Sequence, residues 1–199
     1  MAAYMQGRFV FLGIPTPERR RAARPWVQAA RQLTPAAALE LIEALWQRPE
    51  REYQYVACDL AVALEQQFSP EHLPALLGLV TRQAWWDSVD ALATHPVGHL
   101  VLRHRHLQAE MDALVTHENF WLRRTAILHQ LHWKTATDVP RLFAACLANA
   151  GEREFFIRKA IGWALRHYAR TDPDAVRAFV TRHRVMLSPL SCREALKHL

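Results

Sequence analysis

Apolar residues in this chain recur at intervals of three and four rather than alternately. In Ala36–Gln47 they are Leu39, Leu41, Ile42, Leu45 and Trp46, and in Arg51–Gln67 they are Tyr53, Val56, Ala57, Leu60, Val62 and Leu64. This spacing predicts amphipathic helices, and no segment reads convincingly as a strand. Thr16-Pro17-Glu18, Thr34-Pro35 and Ser69-Pro70-Glu71 each place a hydroxyl residue before a proline. The hydroxyl suits the cap of a helix, the proline its first turn, and the acid the positive end of its dipole. Pro25 and Pro74 fall inside helical stretches and are expected to end or kink them.

The helices repeat. In EREYQYVACDL (50–60), AWWDSVDALA (84–93), NFWLRRTAILHQL (119–131) and EFFIRKAIGWAL (154–165), the column Tyr55, Asp90, Arg124, Lys159 advances in steps of 35, 34 and 35 residues. Mostly small or apolar residues follow each column position, as in Ala160-Ile161-Gly162, which favours close stacking of successive helices. Extension by one period in each direction reaches Arg20 and Glu194. Such a period accommodates one helix pair per unit, as in repeats of the HEAT and TPR type. The expectation is an all-α solenoid of about six helical hairpins, curved around a concave face, in one domain over 1–199.

Composition narrows the function. Hydrophobic residues make up 51% and charged residues 22% of 199, which suits a folded globular chain, and only 6 glycines leave little room for Gly-rich nucleotide loops. Lys and Arg exceed Asp and Glu by 25 to 19, a net charge of +6 that favours a polyanionic partner, nucleic acid first. The 3 cysteines, Cys58, Cys146 and Cys192, are far apart and suggest neither a disulfide framework nor a zinc ribbon. No leader or membrane-length apolar run is evident, so a cytoplasmic protein is expected. The 11 histidines include His104-x-His106, His129-x-x-His132 and the pair His95 and His99. They lack the accompanying ligands of a zinc motif, and no metal is expected.

Side chains one helical turn apart share a face, so the units align Arg51 with Tyr55, Trp86 with Asp90, Phe120 with Arg124, and Phe155 with Lys159 and Trp163. The spacing leaves two readings open. The aromatics and charges form a binding surface, or the aromatics pack between repeats while the charges are solvated or paired, Asp90 with Arg124 among them.

The ordered blocks FLGIPTPERR (11–20), LWQRPEREYQY (45–55), WWDSVD (85–90), NFWLRRTAILHQL (119–131), FFIRKAIGWALRHYARTDP (155–173) and LSPLSCREALKHL (187–199) resemble those of the AlkD-like DNA alkylation-repair glycosylases. The resemblance spans nearly the whole chain. It implies a right-handed superhelix of HEAT-like repeats holding duplex DNA, and excision of purines made cationic by alkylation at N3 or N7, such as 3-methyladenine and 7-methylguanine. Carried over by position, Asp90 is the catalytic carboxylate, Trp86 and Trp163 are aromatic walls beside the damaged nucleotide, and Arg124 is a cation near the DNA backbone. Tyr4 matches a tyrosine near the groove. Arg19, Arg20, Arg51, Arg123, Arg158, Lys159, Arg193 and Lys197 are candidate phosphate contacts. A monomer without cofactor, working in the bacterial cytoplasm on nucleoid DNA, is expected.

So sparse a site suits the chemistry. An alkylated purine leaves as a neutral base, so no strong general acid is needed. A carboxylate at ~4 Å from an oxocarbenium-like sugar, at an effective dielectric of ~20, contributes roughly 4 kcal/mol, about a thousandfold in rate. Asp87, off the Trp86 face, is expected to be structural. Three departures from the family pattern are read: a helix is expected before YM-x-x-x-F-x-FLGI where this sequence starts almost at that block, Cys192 stands where a basic residue is frequent, and Pro25 falls in the first long helix. The rival readings are a non-catalytic HEAT-type DNA-binding or scaffold protein and a repair enzyme of the AlkC-like branch.

Overall fold

The computed structural model describes residues 3–199, and they are helical apart from turns, loops and one isolated parallel bridge between Val10 and Glu50. The α-helices are α1 (Thr16–Ala30), α2 (Pro35–Trp46), α3 (Arg51–Ala63), α4 (Leu73–Thr81), α5 (Trp86–Leu92), α6 (Gly98–Arg103), α7 (Gln108–Leu114), α8 (Phe120–Leu128), α9 (Val139–Ala148), α10 (Phe155–Tyr168), α11 (Pro173–Arg182) and α12 (Pro189–Ala195). A π-helical segment, Ala93–Val97, joins α5 to α6 and contains Pro96, whose missing N–H the wider turn accommodates.

Local chemistry sets the helix starts. Thr34, Asp138, Asp172 and Ser188 each accept a backbone N–H of the first turn, and each precedes a proline in that turn. Thr16 does not cap. The cap position of α1 is Pro15, whose carbonyl accepts the Arg19 N–H at 2.9 Å, and Thr16 is already helical. Ser69 forms a capping box with His72, but it opens a 3-10 turn over Pro70–His72 that runs into α4. Pro74 therefore lies in the first turn of α4, where it disrupts nothing, and α1 continues through Pro25 rather than ending there.

Five helix–loop–helix pairs follow α1: α2 with α3, α4 with the broken helix α5–α6, α7 with α8, α9 with α10, and α11 with α12. The second helices form a row in which α3 packs on α5, α5 on α8, α8 on α10, and α10 on α12. Two apolar clusters fill the array, one from Met5 to Trp133 and one from Ala93 to Ala195. Phe120 at the start of α8 packs against both. Close stacking depends on two glycines. A Cβ on Gly98 would lie 2.2 Å from the His129 carbonyl oxygen, and one on Gly162 would lie 2.5 Å from Glu194 Cβ. Among the described residues no helix is long and apolar enough to cross a membrane.

Candidate active site

The row of second helices brings α5 and α8 together so that Asp90 meets Arg124. Asp90 Oδ1 accepts from Arg124 Nε at 2.7 Å and Oδ2 from Nη2 at 2.8 Å, a bidentate pair, while Nη1 donates to the Phe156 carbonyl. The Arg124 side chain is 5% exposed and that of Asp90 14%. Burial pushes the Asp90 carboxyl upward from its ordinary value, and the bonds from Arg124 oppose that shift. Arg124 is thus a buried anchor for Asp90, with all three guanidinium nitrogens engaged, where the resemblance implied a cation near the DNA backbone.

Trp86 lies one turn before Asp90 on α5. The exposed Tyr4 ring meets it edge-on, with centroids 6.1 Å apart and an interplanar angle of 82°. Trp163 is half-buried on α10 against the second apolar cluster and has no ring partner among the described residues. The structure therefore unites Asp90 with Arg124 and Trp86 with Tyr4, and leaves Trp163 separate from both contacts. A depression of about 550 Å³ lies elsewhere, apolar and set between α1, α2 and α3.

Asp87 serves a different network. It is paired with Arg51 and accepts the Tyr55 hydroxyl at 2.6 Å, and Arg51 also donates to the Gln83 carbonyl at 2.9 Å and to Ser88 Oγ at 2.7 Å. Arg51 is wholly buried, which removes it from the phosphate contacts. Burial and the Asp87 carboxylate both push the Tyr55 hydroxyl upward.

Several other expected phosphate contacts have partners within the protein. Arg19 is buried and pairs with Asp59 at 3.1 Å. Arg123 pairs with Glu152 at 2.6 Å and donates to the His117 and Glu118 carbonyls. Arg158 Nε donates to the Glu152 carbonyl at 2.8 Å, and Lys159 pairs with Glu194 at 3.0 Å. Arg20 is exposed and reaches Asp59 only at 3.4 Å. Arg193 and Lys197 are exposed and form no salt bridge among the described residues.

Two side chains absent from the sequence reading organise the approach to Trp86. The buried carboxylate of Glu52 accepts the backbone N–H groups of Leu12, Gly13 and Ile14 at 2.9 to 3.2 Å. This fixes the segment that follows Tyr4. Within that segment the Arg8 guanidinium sits 4.4 Å from the centre of the Trp85 ring. Glu52 carried one signal, an acid one residue past the start of a helix. Among the described residues no group of three His, Cys, Asp or Glu side chains is placed to hold a metal ion.

Helical pairs stacked through their second helices define a helical-repeat class of fold, and the comparisons make the assignment specific. The chain belongs to the family described as DNA alkylation repair enzyme, which matches residues 1–199. A predicted DNA alkylation repair enzyme from Enterococcus faecalis is 41% identical, with 100% of this chain and 92% of that chain covered, at a TM-score of 0.92. Two Streptococcus mutans structures share the fold at 16% identity. AlkD2 has a TM-score of 0.71, with 100% of this chain and 97% of that chain covered. The protein smu.31 of strain UA159 has a TM-score of 0.69, with 91% and 94% covered. No curated protein sequence matches the chain.

Proposed function

We propose that this chain is a monofunctional DNA glycosylase that excises cationic N3- and N7-alkylated purines from duplex DNA, as a single domain. The observation that carries this reading is the Asp90 carboxylate, clamped by Arg124 one turn after Trp86. As the N-glycosidic bond breaks, its electron pair neutralises the departing purine and positive charge develops on the deoxyribose. Asp90 stabilises that charge and, as a base, orients the attacking water, which adds to the sugar and passes its proton through the carboxylate to solvent. Arg124 holds the carboxylate ready, so little reorganisation accompanies the step. The faces of Trp86 and Trp163 attract the cationic nucleotide by roughly 0.5–2 kcal/mol each.

Release of 7-methylguanine from methylated duplex tests this, with wild type compared with Asp90→Asn and binding to undamaged duplex measured alongside. Release by the wild type alone, with similar binding by both, supports the reading. One observation favours the second reading, a non-catalytic DNA-binding module: both Asp90 oxygens are engaged by Arg124. Salt-sensitive binding without base release by either protein selects it.

A further inference from the structure

Between Asp174 and Glu194 the chain carries Arg177, Arg182, His183, Arg184 and Arg193 and no acid. Arg177 pairs with Asp174, while Arg182, Arg184 and Arg193 form no salt bridge among the described residues. The turn from α11 to α12 lies at the centre of this stretch. It is fixed: the N–H groups of Met186 and Leu187 both donate to the His183 carbonyl at 3.0 Å, and Leu187 is buried beneath. At its tip Val185 is 100% exposed and Met186 57%. Arg184 and Arg193 line one depression with Leu187, Cys192 and Leu196, which joins the turn to α12. That helix packs on α10, the bearer of Lys159 and Trp163.

Two apolar side chains held in water on an ordered turn, between unpaired arginines, match one kind of partner. Duplex DNA offers phosphates to the cations and, beside them, base steps that accept an apolar wedge. A lipid surface fits less well, since membrane insertion draws on a long amphipathic face and only two side chains protrude here. We propose that the 183–187 turn is a second DNA contact, in which Arg182 and Arg184 take phosphates and Val185 and Met186 enter the minor groove. This rests on the reading of the chain as a DNA-processing enzyme. The wedge kinks the duplex, and through α12 and α10 it sets how DNA lies along the row of second helices.

The test uses the full chain and an undamaged duplex carrying a fluorophore at each end. The wild type should shorten the end-to-end distance. Val185→Ser with Met186→Gln should abolish that shortening and weaken binding about tenfold, with the salt dependence kept. Arg182→Gln with Arg184→Gln should reduce the log–log salt slope by about 2, near 0.9 for each phosphate lost. All four side chains are exposed, so thermal midpoints should not move. Variants that match the wild type in affinity, slope and end-to-end distance overturn the wedge while the glycosylase reading stands. Stronger dependence of binding on these residues with phosphatidylserine vesicles than with duplex also overturns it, in favour of a membrane contact. Failure of the wild type to bind duplex overturns both readings together.

Discussion

Arg124 lies one repeat beyond Asp90 and closes on both of its oxygens, and the third nitrogen of the same guanidinium fastens to α10 through Phe156. One side chain thus joins three successive units and sets the charge and orientation of the proposed catalytic carboxylate.

Removal of Arg124 leaves a poorly hydrated carboxylate without its counter-ion. Arg124→Ala should cost about 3 kcal/mol of stability, the lower end of the range for breaking a buried pair. It also raises the proton affinity of Asp90, so the acid limb of the base-release profile should move to higher pH, with Arg124→Lys between Ala and wild type. Single-turnover release measured from pH 5 to 9 checks this. An unmoved limb would separate the pair from the chemistry.

The α10–α12 contact depends on Gly162. In Gly162→Ala the new methyl would meet Glu194 Cβ at 2.5 Å and the Ser191 carbonyl oxygen at 3.1 Å, so α12 must shift. The expected cost is about 1–3 kcal/mol, read as a lower thermal midpoint, with Gly98→Ala at least as damaging. The contact at Gly98 is with backbone that cannot rotate away.

His129 gives the fold a pH dependence. Its ring is buried, linked to the Ala126 carbonyl and Gln108, and burial lowers its pKa to about 4 from the ordinary 6.5. The unfolded chain therefore binds the proton more readily. Stability is full above pH 6.5 and falls, by up to about 3 kcal/mol, as pH drops toward 4. Burial lowers His95, His132 and His167 as well, so they act in the same direction. Denaturant titrations from pH 7.5 to 4 should show a shallower decline for His129→Gln than for wild type.

Glu52 grips the segment between Tyr4 and α1. Glu52→Gln replaces one acceptor oxygen with a donor facing backbone N–H groups, at a cost of about 1–3 kcal/mol. Limited proteolysis should cut within residues 7–15 sooner than in wild type. Trp86 fluorescence should change as Tyr4 leaves the ring edge.

The repeat was legible because stacking imposes one sequence period on the apolar residues, and the 35-residue register held through Tyr55, Asp90, Arg124 and Lys159. Thr34 caps its helix as the sequence suggests, and Thr16 does not: Pro15 before it takes the extended backbone of the cap position, which leaves Thr16 already inside the helix. The cations were legible as a total and not as individuals. Arg19, Arg51 and Arg123 find acids 29 to 40 residues away, so sequence neighbours do not reveal which charges are neutralised. Asp87 and Asp90 differ for the same reason, since their partners, Arg51 and Arg124, come from units on opposite sides.

The pairs that run from unit to unit also fix the order of the array. Arg51 offers a cation forward to Asp87, Asp90 offers an acid forward to Arg124, and Lys159 offers a cation forward to Glu194. The polarity is not the same at every junction, so a unit copied beside itself would set like charges together or strand one without a partner. Repeats so alike in backbone are not interchangeable, and the array can neither grow nor shrink by copying one of its own members without new mutations at both seams.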